Sequence, residues 1–548
     1  MAQHTDGCTA CSGGGWSIGR FWPIFLCLVV ILLGPATARS EDKCSALSAL
    51  TLPKVEIRSS ELVPAASYSP PADADPTTVH SPIYRQMPAF CRALLMLHPS
   101  ADSNITVELW MPASKWNQKF KVHGNGGFAG SIDYFAQANS LAAGYATAAT
   151  DTGHTGGDTD ASWALGHPEK VIDYGYRAIH EMTVIAKQIV LVYYGHSASK
   201  SYFCSCSNGG REALMEAQRY PADFNGIIAG APANDWTHQM IDFAWDSIAL
   251  YANPASKISA TKLPAISAAV IAACDGQEGI KSGLLNDPSS CHFDPQVLRC
   301  EGAESDRCLT APQIDALEKI YGGARNLQGG QIFPGFEPGG ELGPGGWDHW
   351  MLAKPMGRQY EYAQSFFSNL VFANPLWDFT AMDFDRDVKL TDAKLAAVLN
   401  ATDANLDAFQ KSGGKLILYH GWADAAMVPQ STIHYYEQVV AHFGLVSQEF
   451  VRLYMVPGLQ HCVGGPGAVS FGQLDDETPD VHRNIYAALE RWVETGTPPE
   501  DLIGTKFEKD DDRSSRVIFT RPLCAYPTRA KYNGSDDVND TRSFSCRN

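Results

Sequence analysis

Charge is scarce in this chain, and positive charge scarcer. Of 548 residues only 19% are charged, with 42 lysines and arginines against 60 aspartates and glutamates, a formal net charge of −18. That deficit excludes a polyanion-binding surface, and hence nucleic acid, as the main business of the protein. Internal repeats and low-complexity tracts are absent. No apolar run beyond the N-terminal region reaches the roughly 20 residues that a membrane-spanning helix needs. No CxxC pair occurs after residue 11, and the histidines that adjoin cysteines, His292 and His461, lack zinc-site spacing. A zinc ribbon is therefore excluded. What is plentiful is apolar material: 45% of residues are hydrophobic and 10% aromatic, which fits folded domains and not disorder.

The N-terminus carries the one concentrated apolar run. Residues 21–33 (FWPIFLCLVVILL) follow Arg20 and precede Ala36-Thr37-Ala38. A basic flank, a short apolar core and a small-residue end describe a secretory signal peptide over residues 1–38, cleaved near Ala38. The mature chain is then expected in the periplasm or outside the cell, with no membrane contact after cleavage. Cys8, Cys11 and Cys27 leave with the leader, and eleven cysteines remain. Eleven is odd, so at least one is free or paired with another molecule.

Along the mature chain, the stretch up to about residue 81 is rich in Pro, Ala and Ser and reads as a surface wrap. Strand and helix patterns then alternate. Strands are expected at 119–123, 146–150, 201–204 and 226–230, and helices at 171–194 and 209–220. From 236 to 412 the rhythm breaks into glycine, proline, scattered aromatics and four cysteines. It resumes with strands at 415–420 and 450–456 around a helix at 432–443. Apolar strands alternating with helices predict a mostly parallel sheet covered on both faces. The organisation is a leader (1–38), the first part of an α/β domain (39–235), an insertion (236–412) and the second part (413–548).

Three strand ends carry polar residues in a telling order. Ser207, in Cys206-Ser207-Asn208-Gly209-Gly210-Arg211, sits between a strand and a helix, as a nucleophile elbow requires. Ser205 stands where the first glycine of G-x-S-x-G would be. Asp424 follows the strand 415–420, and His461 follows the strand 450–456. The order Ser, Asp, His is that of α/β-hydrolases. A serine hydroxyl is a weak nucleophile until an imidazole takes its proton, and a carboxylate orients that imidazole and stabilises its cation. Oxyanion donors are expected from the backbone N–H of Asn208 and of Gly127, the latter in the glycine-rich loop 124–127.

Cysteines flank both ends of that constellation. Cys206 precedes the serine and Cys462 follows the histidine. If Ser207 and His461 touch, a disulfide between their neighbours is within reach, subject to side-chain direction. The rival reading makes Cys206 a thiol nucleophile.

CSNGGR, HGWADAAMVP and PGLQHC together resemble the tannase and feruloyl esterase family of secreted α/β-hydrolases, as do the inserted phrase FPGFEPGGELG and the ending RPLCAYP. The resemblance covers nearly all of the mature chain. It implies an α/β-hydrolase fold with a large lid inserted at 236–412, and a Cys206–Cys462 bridge beside catalytic Ser207, Asp424 and His461. It also implies the pairs Cys44–Cys91, Cys274–Cys291, Cys300–Cys308 and Cys524–Cys546, leaving Cys204 over. Relatives carry a calcium loop in the lid. The matching ligands are Asp275, Glu278, Ser282 and the carbonyls of Ile280 and Leu284. Glu and Ser replace two aspartates there, and Lys281 adds a positive charge. Calcium would be structural, since the chemistry needs no cofactor.

The activity implied is hydrolysis of an ester of a phenolic acid such as ferulate or gallate, free or linked to a plant polymer. Trp350 and Tyr362 are expected to contact the aromatic ring, with Phe366 and Phe367 as further candidates and Met427 and Val428 near the acyl side. Arg358 could pair with a carboxylate on the acyl ring. That would suit a monoester of an aromatic diacid such as mono(hydroxyethyl) terephthalate. Outside catalysis, the alternative is a secreted binding relative that has lost activity.

Overall fold

The computed structural model describes residues 42–548, apart from Asp73, Glu278, residues 474–477, Asp511 and Ser535. The leader expected over residues 1–38 lies outside the described residues. Nine strands form one sheet: β1 (Val55–Val63), β2 (Phe90–Leu97), β3 (Ile105–Pro112), β4 (Lys119–Val122), β5 (Ala146–Thr150), β6 (Lys200–Cys206), β7 (Gly226–Gly230), β8 (Lys415–Gly421) and β9 (Val451–Val456). Their order is β1-β2-β3-β5-β4-β6-β7-β8-β9. β1, β2 and β3 pair antiparallel, as does β3 with β5, and every later pair is parallel.

The parallel strands read as unbroken apolar runs because both faces are covered. Alternate residues face opposite sides of the sheet. Phe203, Ile227, Leu416 and Leu418 pack in one core with helices α1 (Ala178–Tyr194), α2 (Asn208–Arg219) and α5 (Pro429–Phe443). Cys204, Ile228 and Ile417 face the other way, onto α6 (Ile485–Thr495).

Two expectations need correction. The Pro-, Ala- and Ser-rich stretch before residue 81 is more than a wrap, because β1 pairs along its length with β2 as the edge strand. Its sequence, VEIRSSELV, starts with the apolar-polar alternation of a half-exposed edge, a pattern that overall composition conceals. Residues 254–274 do meet the length and apolarity of a membrane span, contrary to the expectation of none after the leader. Two 3-10 turns break that stretch, and its α-helix, Leu263–Cys274, has 12 residues. That is about 18 Å, short of a hydrocarbon core of ~30 Å.

Between β7 and β8 the described residues add no strand to the sheet. It forms helices, among them α3 (Trp236–Tyr251) and α4 (Gly357–Phe366), around a second core containing Trp236, Phe243, Trp347 and Phe366. An ionic clamp ties this segment to its own start. His238 lies 2.9 Å from Asp235 and 3.1 Å from Asp392. Burial alone would lower the His238 pKa, but the hydrogen bonds and charges of the two carboxylates outweigh it and raise the value to about 10. A raised pKa gives stability that is fully present below the unfolded value near ~6.5 and is lost as pH rises through about 10. Replacing His238 by glutamine should therefore lower the melting temperature at pH 6.5. The gap to wild type should close by pH 10.5, and a gap independent of pH would sink the assignment.

Candidate active site

Ser207 stands between β6 and α2 with φ +65° and ψ −129°, a conformation that costs a non-glycine residue free energy and is typical of a strained functional turn. Neighbouring backbone holds it there. Its N–H donates to the Gly230 carbonyl at the end of β7 (2.9 Å), and its carbonyl accepts from Ala233 (3.2 Å) and Arg211 (3.1 Å). Ser205, at the position of the missing glycine, is accommodated from the other side. A Cβ at Gly209, in the first turn of α2, would lie 2.6 Å from Ser205 Cβ, so the absence of that atom makes the room.

The three residues of the expected constellation meet. His461 Nε2 lies 2.8 Å from Ser207 Oγ, and His461 Nδ1 lies 2.8 Å from Asp424 Oδ2. Asp424 is buried, and its Oδ1 accepts the backbone N–H groups of Ala426 (2.8 Å) and Met427 (2.9 Å). Burial opposes its ionisation, but the two imidazoles of His461 and His420 outweigh burial and hold its pKa well below the usual carboxylate range. Asp424 is thus an anion throughout the working range and can hold one tautomer of His461.

His420 was not singled out from the sequence. Its Nε2 is 3.2 Å from Asp424 Oδ2, and its Nδ1 is 2.8 Å from Thr432 Oγ1. A histidine at the end of β8, four residues before the aspartate, was the available signal. Glu212 also escaped notice. Its carboxylate accepts the Asn125 backbone N–H (2.9 Å) and the Asn208 side-chain amide (3.0 Å). It thereby joins the loop 124–127 to the nucleophile helix. Tyr174 reinforces the join, its hydroxyl lying 3.0 Å from both the Gly127 carbonyl and Asn208 Oδ1. Tyr174 is presented by a π-turn, Asp173–Arg177, that interrupts the helix expected over 171–194. The buried Arg211 guanidinium holds that turn through the Tyr174 and Gly175 carbonyls. Asn208 opens α2, so its N–H has no partner within the helix. Gly127 adopts φ +53°, and a side chain there would run into Asp158 and Tyr362.

The cleft above Ser207 has a volume of about 540 Å³. Trp350 and Tyr362, both from the inserted segment, form its aromatic wall with Arg358 beside them. The two rings stack with centroids 6.1 Å apart, and Trp350 meets the His461 ring edge-on at 5.3 Å. Arg358 forms an ion pair with Asp158 and sits over both rings at 5.5 and 5.8 Å. Other expected contacts are not at the cleft. Met427 and Val428 are buried beside the clamp on Asp424, where the Met427 backbone serves and its side chain packs in the core. Phe366 and Phe367 fill the core of the inserted segment.

Cys206 and Cys462 are bridged, with Cα atoms 6.0 Å apart. Cys206 therefore offers no thiol, and the rival reading of a cysteine nucleophile falls. The other four pairs that the resemblance implied are also present. Cys204 is the buried remainder.

A mostly parallel sheet of this topology, with serine, aspartate and histidine converging from the ends of β6, β8 and β9, defines an α/β-hydrolase, here a carboxylic ester hydrolase. Residues 91–547 match the tannase and feruloyl esterase family, and the chain belongs to it. An uncharacterized esterase of Xanthomonas campestris pv. campestris is 41% identical over 538 residues, covering 93% of this chain and 92% of that protein. A probable feruloyl esterase B-2 of Aspergillus terreus is 31% identical over 540 residues, covering 96% and 99%. Among solved structures, feruloyl esterase B from Aspergillus oryzae is similar with a TM-score of 0.84 and 28% identity, over 93% of this chain and 100% of that one. Tannin acyl hydrolase from Aspergillus niger shares the fold with a TM-score of 0.70 at 22% identity, over 93% and 94%.

Proposed function

We propose that the chain is a secreted serine esterase that cleaves esters of phenolic acids such as ferulate or gallate through an acyl-enzyme. The observation that carries this is the continuous hydrogen-bonded series Ser207–His461–Asp424 beneath an aromatic wall. Ser207 Oγ attacks the ester carbonyl as His461 takes its proton, and Asp424 stabilises the imidazolium. The Asn208 and Gly127 N–H groups hold the developing oxyanion. The alcohol leaves with the proton from His461, and the acyl group stays on Ser207. His461 then deprotonates water, which frees the acid. Trp350 and Tyr362 receive the aromatic acyl ring, an apolar wall with few polar anchors. In this reading residues 236–412 act as the lid.

Secretion is supported by five disulfides, which persist in oxidising compartments. The diacid reading is weaker because Arg358 already has Asp158 as its counter-ion. A non-catalytic relative has no use for a complete proton-transfer series. Comparing kcat/KM for methyl ferulate, methyl gallate, chlorogenate and a terephthalate monoester tests the assignment. One of the first three should lead the monoester by at least about tenfold, worth ~1.4 kcal/mol of transition-state binding. A monoester in first place would overturn it.

Calcium in the loop after Cys274 belongs to the same proposal. Glu278 lies outside the described residues. Asp275 accepts the Ser282 and Gly283 N–H groups (3.1 and 3.0 Å), which turns its carboxylate into the loop, and the buried Ser282 hydroxyl has no hydrogen-bond partner. Hard oxygen donors of this kind suit calcium. Asp275 and Ser282 would hold it with Glu278 and the Ile280 and Leu284 carbonyls, bracing the lid without entering the chemistry. EGTA should lower the melting temperature, and added calcium should restore it. An identical melting temperature with and without chelator would refute the site.

A further inference from the structure

A second cluster of polar side chains lies toward the C-terminal end of the nucleophile helix, away from the cleft. His180 comes from the first turn of α1, Glu216 from the last turns of α2, and Asp223 from the loop leading to β7. One donor atom from each lies within 4.8 Å of the others. His180 Nδ1 is 2.7 Å from Asp223 Oδ2. Glu216 is 1% exposed, and neither of its carboxylate oxygens accepts a hydrogen bond from an N–H or hydroxyl group, the polar group facing them being the Asp223 carboxylate. An unpartnered buried carboxylate is costly unless a proton or a cation sits on it. Burial, reinforced by the nearby Asp223, pushes the Glu216 pKa well above its usual range. The Lys187 ammonium, whose charge acts on Glu216, donates to the Asp223 backbone carbonyl.

We propose that His180, Glu216 and Asp223 form a binding site for a divalent transition metal, best matched by zinc. One imidazole nitrogen and two carboxylate oxygens are zinc's hard and borderline donors, and donors about 2.0–2.2 Å from a common centre lie roughly 3.4 Å apart, so the ion would displace the Nδ1 proton and widen the 2.7 Å His180–Asp223 hydrogen bond. The two carboxylates balance the ion's charge. The histidine ring is held for the task, stacked on Tyr220 with centroids 3.7 Å apart and planes 6° from parallel. Partial exposure of His180 and Asp223 leaves an entry path and room for a water as fourth ligand. The ion would clip α1, α2 and the approach to β7 together, at the opposite end of α2 from Ser207. This is a structural role, separate from ester cleavage and from the calcium loop.

The test uses the untagged mature protein, treated with chelator and dialysed, then titrated with ZnCl2 at pH 7.5 by calorimetry, with bound metal counted by mass spectrometry. Wild type should take up one zinc that Glu216→Gln and, separately, His180→Ala do not. Zinc at a hundredfold excess over Kd should raise the melting temperature of wild type by several degrees and leave both variants unmoved. Glu216→Gln keeps the shape of the site without its charge, so it should stay folded, and circular dichroism checks this. If wild type takes up no zinc, the trio is a proton-sharing carboxyl pair beside a histidine and the proposal fails. Equal uptake by wild type and both variants places the ion elsewhere and overturns it as well.

Discussion

Replacing Ser207 by alanine is expected to lower kcat toward methyl ferulate by on the order of 10⁶-fold, because triad members act as a unit. That corresponds to about 8 kcal/mol of lost transition-state stabilisation. The variant should keep its melting temperature and circular dichroism, since the substitution removes one hydroxyl from a turn whose backbone bonds to Gly230, Ala233 and Arg211 are unchanged. The double variant Ser207→Ala/His461→Ala should be no slower than the single. A proton acceptor with no hydroxyl to act upon contributes nothing further. If Ser207→Ala retained even a tenth of wild-type turnover, the nucleophile would have to be sought elsewhere in the cleft.

The second large effect concerns the Cys206–Cys462 bridge. It closes a loop of 256 residues and joins the residue before the nucleophile to the residue after the base. The chain-entropy account gives such a closure up to about 5 kcal/mol of stability. Its kinetic weight is the more informative. A misplacement of reacting groups by about 1 Å can cost on the order of a hundredfold in rate. The paired change Cys206→Ala/Cys462→Ala should thus reduce kcat by ~100-fold with a smaller change in KM, besides lowering the melting temperature. The matching control is Cys300→Ala/Cys308→Ala, whose bridge spans only 8 residues in the inserted segment. It should leave kcat alone. Equal effects from the two pairs would mean that the first bridge stabilises the fold without positioning the site.

The parts of this site that follow from strand-end chemistry could be read from the sequence. Ser207, Asp424 and His461 each terminate an apolar run, and β5 and β7 begin and end where their apolar runs do. What stayed hidden depends on contacts between distant segments. β1 was obscured because its pairing with β2 overrides a Pro- and Ala-rich context. Met427 looked like a pocket residue because it follows Asp424 in sequence, yet the turn uses its N–H and sends the side chain inward. Glu212 and Tyr174 support the loop 124–127 across 87 and 47 residues of sequence. No local pattern records such a partnership. Arg358 was visible as a lid cation, but its neutralisation by Asp158, 200 residues away, was not.

Ser205 and Gly209 share one corner of the elbow, and each limits the other. The elbow needs a fixed amount of empty space, and the space is shared between a strand residue and a helix residue four positions later. Ser205 places a hydroxymethyl group on one side while Gly209 is bare on the other. The corner therefore limits the combined volume of the two residues and not the identity of either. Ser205→Gly should be tolerated in this background, whereas Gly209→Ala demands that Ser205 shrink first. A side chain can be added at position 209 only once the one at position 205 is gone.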